Sequence, residues 1–424
     1  MSAADNRMIE HEQHPGSGWL TVAICFITLA LAYGASWYSF SVFLVALINE
    51  FSWSRSSVAG AFAVFMIVHG TIGLFAGNMV DRYGAKSVFI SGSLVLATGC
   101  VLNSLVRSSW QYYLSFGVIT AMGVSLIGWV PNSTVVQQWF RKNRGLPIGI
   151  ISSGVGIGIF ICVPLIQHLI EQVGWRTTYR VMALFIPLII ISMAAVFLKA
   201  PVAREPAGPK LETADPPSAS GKDRAPRSWT LGQALNTRRF WLIGTSFFLA
   251  SFTTHSILTH QIAYFIEHGL KASSAATIAG MIGVVSIGAK IFWGALSDRL
   301  GREITYTAGM VCSVFGIIFL IAFGSLFLPY APRLYALFFG LGYAAGAALP
   351  PLIVADLFEG KAYGGIFGAL MMLNNAGGAC GSWFAGFIYD HLHSYRPAFM
   401  IMIVCSLCAA VNIWLAASRK AAMR

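Results

Sequence analysis

Apolar residues run along this chain in long stretches broken by short polar segments. Twelve such stretches can be marked, near 19–47, 56–79, 87–106, 111–136, 146–170, 178–198, 240–266, 274–296, 304–328, 334–355, 363–388 and 397–417. A helix that crosses a bilayer needs roughly 20 predominantly apolar residues, and each stretch supplies about that many. The pattern predicts an all-α polytopic membrane protein with 12 transmembrane helices.

One interruption differs from the rest. Residues 199–239 hold six prolines, eight Lys/Arg and four Asp/Glu, and no span fits there. The segment reads as a solvated linker. Its end, Ser228 to Phe240, has the character of a short amphipathic helix along the membrane surface. The chain then divides into a tail (1–18), a six-helix half (19–198), the linker, a second six-helix half (240–417) and a tail (418–424).

Composition narrows the class. Hydrophobic residues make up 56% of the chain and charged ones only 10%, against about 25% charged in soluble domains. A soluble enzyme, a nucleic-acid binder and a disordered chain are excluded. The net charge of +12 then reports topology. With the loops alternated from a cytoplasmic N-terminus, 20 Lys/Arg fall on the cytoplasmic side and seven on the other, leaving Lys290 within a span. The positive-inside rule places both termini, and the tail 1–18, in the cytoplasm. The seven cysteines lie in apolar runs and read as small buried hydrophobes. No metal site or cofactor is expected.

The two halves share a motif. The loop after span 2 reads Gly77-Asn-Met-Val-Asp81-Arg82-Tyr-Gly84-Ala-Lys86, and the loop after span 8 reads Gly294-Ala-Leu-Ser-Asp298-Arg299-Leu-Gly301-Arg302. The Asp-Arg pairs are 217 residues apart, about half the chain. Two parallel, pseudo-symmetric halves suit a rocking transporter with its site at their interface. The doubled GxxxDRxGxK/R in a 6+6 chain resembles the major facilitator superfamily. In that reading Asp81, Arg82, Asp298 and Arg299 form a cytoplasmic gate: the Asp caps a helix N-terminus and pairs with the Arg, latching the halves.

Within the spans polar groups are few. All sixteen acidic residues map to loops, the linker or span ends, which removes the usual Asp/Glu proton relay. Lys290 lies roughly 6 Å past the centre of span 8 at 1.5 Å per residue. A lysine at that depth carries an insertion penalty. With no carboxylate at depth to pair with it, a bound anion is its natural counterion; snorkelling toward the interface is the other reading. His260, with Ser256 and Tyr264 at i−4 and i+4, makes a polar stripe on span 7. It is a candidate to hydrogen-bond a carboxylate or carry a coupling proton, or else to tie two helices together. His69 and His255 read as structural, and His168 near a span end carries no role. Asn132 and Asn374 add amides, and Trp129 and Tyr343, flanked by small residues, are candidates to wall a cavity. Gly149, Gly154, Gly156 and Gly158 in span 5 read as close helix packing.

Further segments narrow the resemblance: Phe51-Ser-Trp53-Ser-Arg55-Ser; Gln138-Trp139-Phe140-Arg141-Lys142-Asn143-Arg144-Gly145-Leu146-Pro-Ile-Gly149; Gly174-Trp175-Arg176; and His260-Gln-Ile-Ala-Tyr-Phe-Ile-Glu-His268-Gly269. Together they resemble the monocarboxylate transporter and oxalate:formate antiporter branch, over nearly the whole chain outside tail and linker. The resemblance implies that the span 8 cation, here Lys290 in place of the usual Arg, binds the substrate carboxylate. Lysine offers a point charge rather than a bidentate fork. Animal members carry an Asp four residues earlier, where this chain has Ser286, and the antiporter has a second buried cation on span 11 that is missing here. A single fixed charge suits a monoanion.

Moving a lone anion into an inside-negative cell costs about 2.3 kcal/mol per 100 mV, and a co-transported proton removes that cost. The expected function is proton-coupled transport of a small monocarboxylate, such as lactate or pyruvate, across the cytoplasmic membrane by alternating access. Lys290, His260, Trp129, Tyr343, Asn132 and Asn374 are the candidate substrate residues, and Lys290 and His260 the candidate proton carriers. Anion exchange without a proton is the alternative. An enzyme or sensor is disfavoured, since the chain has no intramembrane Asp pair, HExxH or GxSxG and no soluble signalling domain.

Overall fold

The computed structural model describes residues 15–140, 145–197, 229–326, 328–358 and 363–417. Residues 1–14, 418–424 and most of the expected linker lie outside them. Of the surface helix expected over 228–240, the described part is a short helix, Leu231–Leu235, opened by a reciprocal cap between Thr230 and Gln233. A second cap follows, in which the Thr237 hydroxyl accepts from Phe240 N at 3.2 Å.

The crossing helices are α1 Gly18–Phe51, α2 Arg55–Tyr83, α3 Ala85–Ser104 and α4 Ser109–Val136. They continue as α5 (145–173) and α6 (175–197). The second half holds α7 Arg238–Glu267, α8 Ala272–Leu300, α9 Arg302–Leu326, α10 Ala331–Leu357, α11 Tyr363–Leu392 and α12 Arg396–Ala417. Helices α5 and α6 join into one 53-residue stretch divided at Gly174. At 1.5 Å per residue that stretch is more than twice the depth of a roughly 30 Å hydrocarbon core, so it crosses twice. The fold is all-α, with twelve membrane helices in two pseudo-symmetric halves of six.

The repeated motif has a backbone cause. Gly84 (φ 79°, ψ 151°) and Gly301 (φ 93°, ψ 157°) each form a one-residue turn between antiparallel helices. That region is closed to residues with a Cβ. Gly174 repeats the conformation between α5 and α6. The GWR segment and the FSW segment meet there: the Trp175 indole and Arg176 both donate to Glu50, and Phe51 stacks on Trp53 at 4.4 Å.

The halves meet through two symmetry-related pairs, α2 with α11 and α5 with α8. Close approach is possible because glycine lines both. A Cβ on Gly156 would lie 2.7 Å from the carbonyl of Gly283 across the α5–α8 contact, and one on Gly386 would lie 2.7 Å from Ser56 N across α2–α11. Within the first half, Gly154 and Gly158 pack on the α1 backbone at Phe26 and Ala30. Helices α4 and α10, equivalent in the repeat, both break: α4 at Ile127–Gly128 and α10 at Leu349, just before Pro350.

Candidate functional site

Helix α1 widens into an underwound π-helical segment, Ala30–Tyr38, which brings Tyr33, Trp37 and Tyr38 to the middle of the bundle. Tyr38 reaches across the interface, and its hydroxyl hydrogen-bonds the hydroxyl of Tyr343 on α10. The Lys290 ammonium of α8 stands 5.8 Å from the centroid of the same Tyr343 ring. Lys290 is half-buried. Among the described residues its ammonium has no carboxylate within salt-bridge distance. A cation over a tyrosine face in a desolvated place is held by the ring quadrupole, which leaves its donors available to an anion.

Beside this trio Tyr33 accepts a hydrogen bond from Trp129 N at 3.2 Å, at the α4 break, and meets His69 Nε2 at 3.3 Å. The Trp37 ring packs edge-on against His69 at 4.8 Å. A small cavity between the halves is lined by Trp37, Tyr38, Ser41, Phe62, His255 and Thr259, among others.

One end of the bundle is closed by contacts between the halves. At the N-terminus of α2, Arg55 N and Ser56 N donate to the two carboxylate oxygens of Asp390 on α11, each at 2.9 Å. The Arg55 guanidinium donates to Tyr395 at 2.6 Å, pairs with Glu267 at 3.3 Å and lies 3.6 Å over the Tyr389 ring. At the other end, no described residue lies within 4 Å of where a Cβ would stand on Gly73, Gly149, Gly288, Gly294, Gly346 or Gly365.

The expected site residues are distributed unevenly. Lys290 and Tyr343 lie together at the interface. Trp129 is 36% exposed and linked to them through Tyr33 and α1. His260 is fully buried, and both ring nitrogens are engaged. Its Nε2–H donates to Ser382 O at 2.8 Å, and its Nδ1 accepts from the Tyr395 hydroxyl at 3.0 Å. It thus supports the Arg55 clamp instead of facing Lys290. Asn132 is also fully buried; its amide donates to Ile127 O and Gly128 O at 2.8 and 2.7 Å and holds the α4 break. Asn374 donates to Phe247 O of α7 at 3.3 Å, within its own half. The next residue, Asn375, faces Gly70 across the interface.

The expected latch takes a different shape in the second half. Asp298 pairs with Arg302 at 2.7 Å, not with its neighbour Arg299, which is exposed. Arg302 also pairs with Asp356 at 3.2 Å and donates to Ser297. These contacts join α8, α9 and α10 inside one half and do not cross to the other; they line a cleft of about 320 Å³. Arg82 is exposed with its guanidinium 5.3 Å from the Tyr83 ring, and the Asp81 side chain lies outside the described residues.

Sequence reasoning missed Tyr33, Trp37 and Tyr38. The available signal was the polar-aromatic string Tyr33-Gly-Ala-Ser-Trp37-Tyr38 in the middle of an apolar span.

The major facilitator superfamily model matches residues 25–339 and 283–423. The chain belongs to the major facilitator superfamily. Among curated relatives of this superfamily member, monocarboxylate transporter 12 of Rattus norvegicus is 25% identical over 407 residues, 91% of this chain and 82% of the relative. The oxalate:formate antiporter of Oxalobacter formigenes is 22% identical over 302 residues, 71% of this chain and 67% of its own. A crystal structure of the nucleoside transporter NupG superposes with a TM-score of 0.70 at 13% identity, covering 94% of this chain and 99% of that one. That likeness concerns the fold. The superfamily member is a membrane transporter, not an enzyme.

Proposed function

We propose that this transporter moves a small monocarboxylate, such as lactate or pyruvate, together with a proton across the cytoplasmic membrane by alternating access. The observation that carries the reading is Lys290: a membrane-embedded cation over the Tyr343 ring, at the junction of the halves, with no carboxylate partner among the described residues. The similarity to monocarboxylate transporter 12 and to the oxalate:formate antiporter supports the substrate class. With the termini inside, as the positive-inside bias suggests, the Arg55 clamp is the outer gate and the open glycine faces line an inward-facing cavity.

In this scheme Lys290 holds the carboxylate, Tyr343 and Tyr38 position it, and rupture of the Arg55–Asp390 contacts opens the outer side. The test is uptake of labelled short monocarboxylates into proteoliposomes, with and without an inward proton gradient. Gradient-stimulated uptake that Lys290→Ala abolishes supports the assignment; wild-type uptake by that variant sinks it. Exchange without a proton is the second reading, since the described carboxylates all lie at helix ends, and persistent counterflow after collapse of the pH gradient would favour it.

A further inference from the structure

Proton coupling in the proposed cycle needs a base inside the protein that can be reached from the substrate site. Three histidines lie in the spans near the interface, His260 buried and His69 and His255 half-buried. His260 has both nitrogens committed. His69 shares its Nε2 with Tyr33, and its Nδ1 is sealed from solvent without a partner among the described residues. His255 is different. Its Nδ1 lies 3.0 Å from the carbonyl and 3.1 Å from the hydroxyl of Ser251, one turn back on α7; the carbonyl can only accept, so Nδ1 carries the hydrogen, with the hydroxyl as a second acceptor. The neutral ring then presents Nε2 as a bare acceptor, and Nε2 makes no hydrogen bond to the described residues.

His255 lines the cavity between α1 and α7, which means that it sits where the two halves meet. The cavity measures about 10 Å³, the room that one water molecule requires. The same cavity is lined by Trp37, whose buried Nε1–H has no partner among the described residues, and by the hydroxyl residues Ser41 and Thr259. It therefore combines an unpaired donor, an unpaired acceptor and space for a molecule that is both. Tyr38 completes the wall, and Tyr38 is hydrogen-bonded to Tyr343, over which Lys290 stands.

We infer that His255 Nε2 is the coupling-proton site, reached through one water held by Trp37, and linked to the carboxylate site by the Tyr38–Tyr343 pair. This inference rests on the proton-coupled carboxylate reading above. The water accepts from Trp37 Nε1–H and donates to Nε2. A proton entering from bulk water adds to Nε2 to form imidazolium, and is released to bulk from Nε2 on the opposite side after the halves rock.

The surroundings favour a charge that depends on its anion. On α7 the ring faces Ser251 and Thr259; from α1 come Trp37, at 5.9 Å between centroids, and Tyr38. From α2 come Phe62, at 6.3 Å, and Met66, while α11 presents Gly378, where a Cβ would lie 2.8 Å from Nδ1. No charged side chain among the described residues touches the ring. An imidazolium there is stabilised chiefly when a carboxylate occupies the neighbouring site, so anion and proton bind together.

The experiment uses purified full-length protein in weak buffer with a pH-sensitive dye, and lactate and pyruvate as probes. Wild type is expected to take up about one proton per anion bound. His255→Gln, with an amide near the position of Nε2, and His255→Asn, with an amide that keeps the donor to Ser251, are expected to take up none and to bind the anion about tenfold more weakly, with an affinity that no longer rises as the pH falls, because the linked proton supplies that affinity in wild type. In proteoliposomes both should retain exchange at symmetrical pH and lose gradient-driven accumulation. Undiminished proton uptake by either variant overturns the inference and leaves carboxylate transport intact. Loss of anion binding by both, in monodisperse protein, also overturns it, because the two sites would then be one. A wild type that binds the anion without proton uptake refutes this inference alone. A wild type that binds neither probe refutes the small-monocarboxylate reading and this inference with it.

Discussion

The hydroxyls of Tyr38 and Tyr343, 305 residues apart in the chain, hydrogen-bond to each other across the boundary between the two halves. They do so beside the ammonium of Lys290, so the contact that joins the halves and the candidate substrate charge share one side chain. An anion drawn to Lys290 meets the Tyr343 ring at once, and any shift of that ring is felt on α1. In the proposed cycle substrate occupancy is thereby coupled to the equilibrium between conformations, as alternating access requires.

Tyr343→Phe keeps the ring beside Lys290 and removes the hydroxyl. The net worth of one such hydrogen bond is about 0.5–1.5 kcal/mol, so the equilibrium between the halves should move by up to about tenfold. We expect transport to persist with a KM changed by no more than that factor. Tyr343→Ala, which also removes the ring, should weaken transport further.

Charge and shape at position 290 separate cleanly. Lys290→Gln removes a charge-assisted contact worth about 1.5–3 kcal/mol, which predicts carboxylate binding weakened about 10- to 150-fold in a direct binding assay. Lys290→Arg retains the charge in a planar fork and is expected to stay within about tenfold of wild type.

Asp390 caps the N-terminus of α2 from the opposite half, with two backbone N–H groups at 2.9 Å. Loss of a helix cap costs about 0.5–2 kcal/mol, and here the loss falls on the closed state of one end only. Asp390→Ala should raise the population opened at that end by about 2- to 30-fold. Spin labels on Arg107→Cys, in the α3–α4 loop, and Arg333→Cys, in the first turn of α10 at the same end, should report longer distances in the variant. An unchanged distance distribution would refute the role of the clamp as a gate.

Arg302 joins Asp298 and Asp356 at the other end. Its contacts stay inside one half, so Arg302→Ala is expected to lower the melting temperature, at a cost of about 1 kcal/mol for partly exposed ion pairs, while leaving substrate KM unchanged. A large KM effect with unchanged melting would argue that the network also acts between the halves.

The twelve apolar runs, the doubled DRxG and the near-absence of intramembrane acid were legible because each is local. Span length is set by bilayer thickness, and the glycine of DRxG by a backbone conformation that no other residue tolerates at Gly84 and Gly301. Lys290 was legible for a related reason: a charge in an apolar helix is anomalous wherever its neighbours lie. The histidines were not legible. On sequence the stripe of Ser256, His260 and Tyr264 marks His260 as the candidate proton carrier and leaves His255 a structural residue. Only the packed structure commits both nitrogens of His260 to Tyr395 and Ser382 and leaves one of His255 facing a cavity.

Chain order alone thus determined the twelve spans, their parallel halves and the presence of one unusual cation, because these follow from transfer of single residues into lipid and from local backbone geometry. Tertiary structure decided which polar side chains meet: Tyr38 with Tyr343, Asp390 with the start of α2, Arg302 with Asp298 in place of Arg299. Those pairings depend on the rotation and depth of each helix against its neighbours, which glycine contacts such as Gly156–Gly283 set. Rotation and depth are properties of packed surfaces, and one helix read by itself does not carry them.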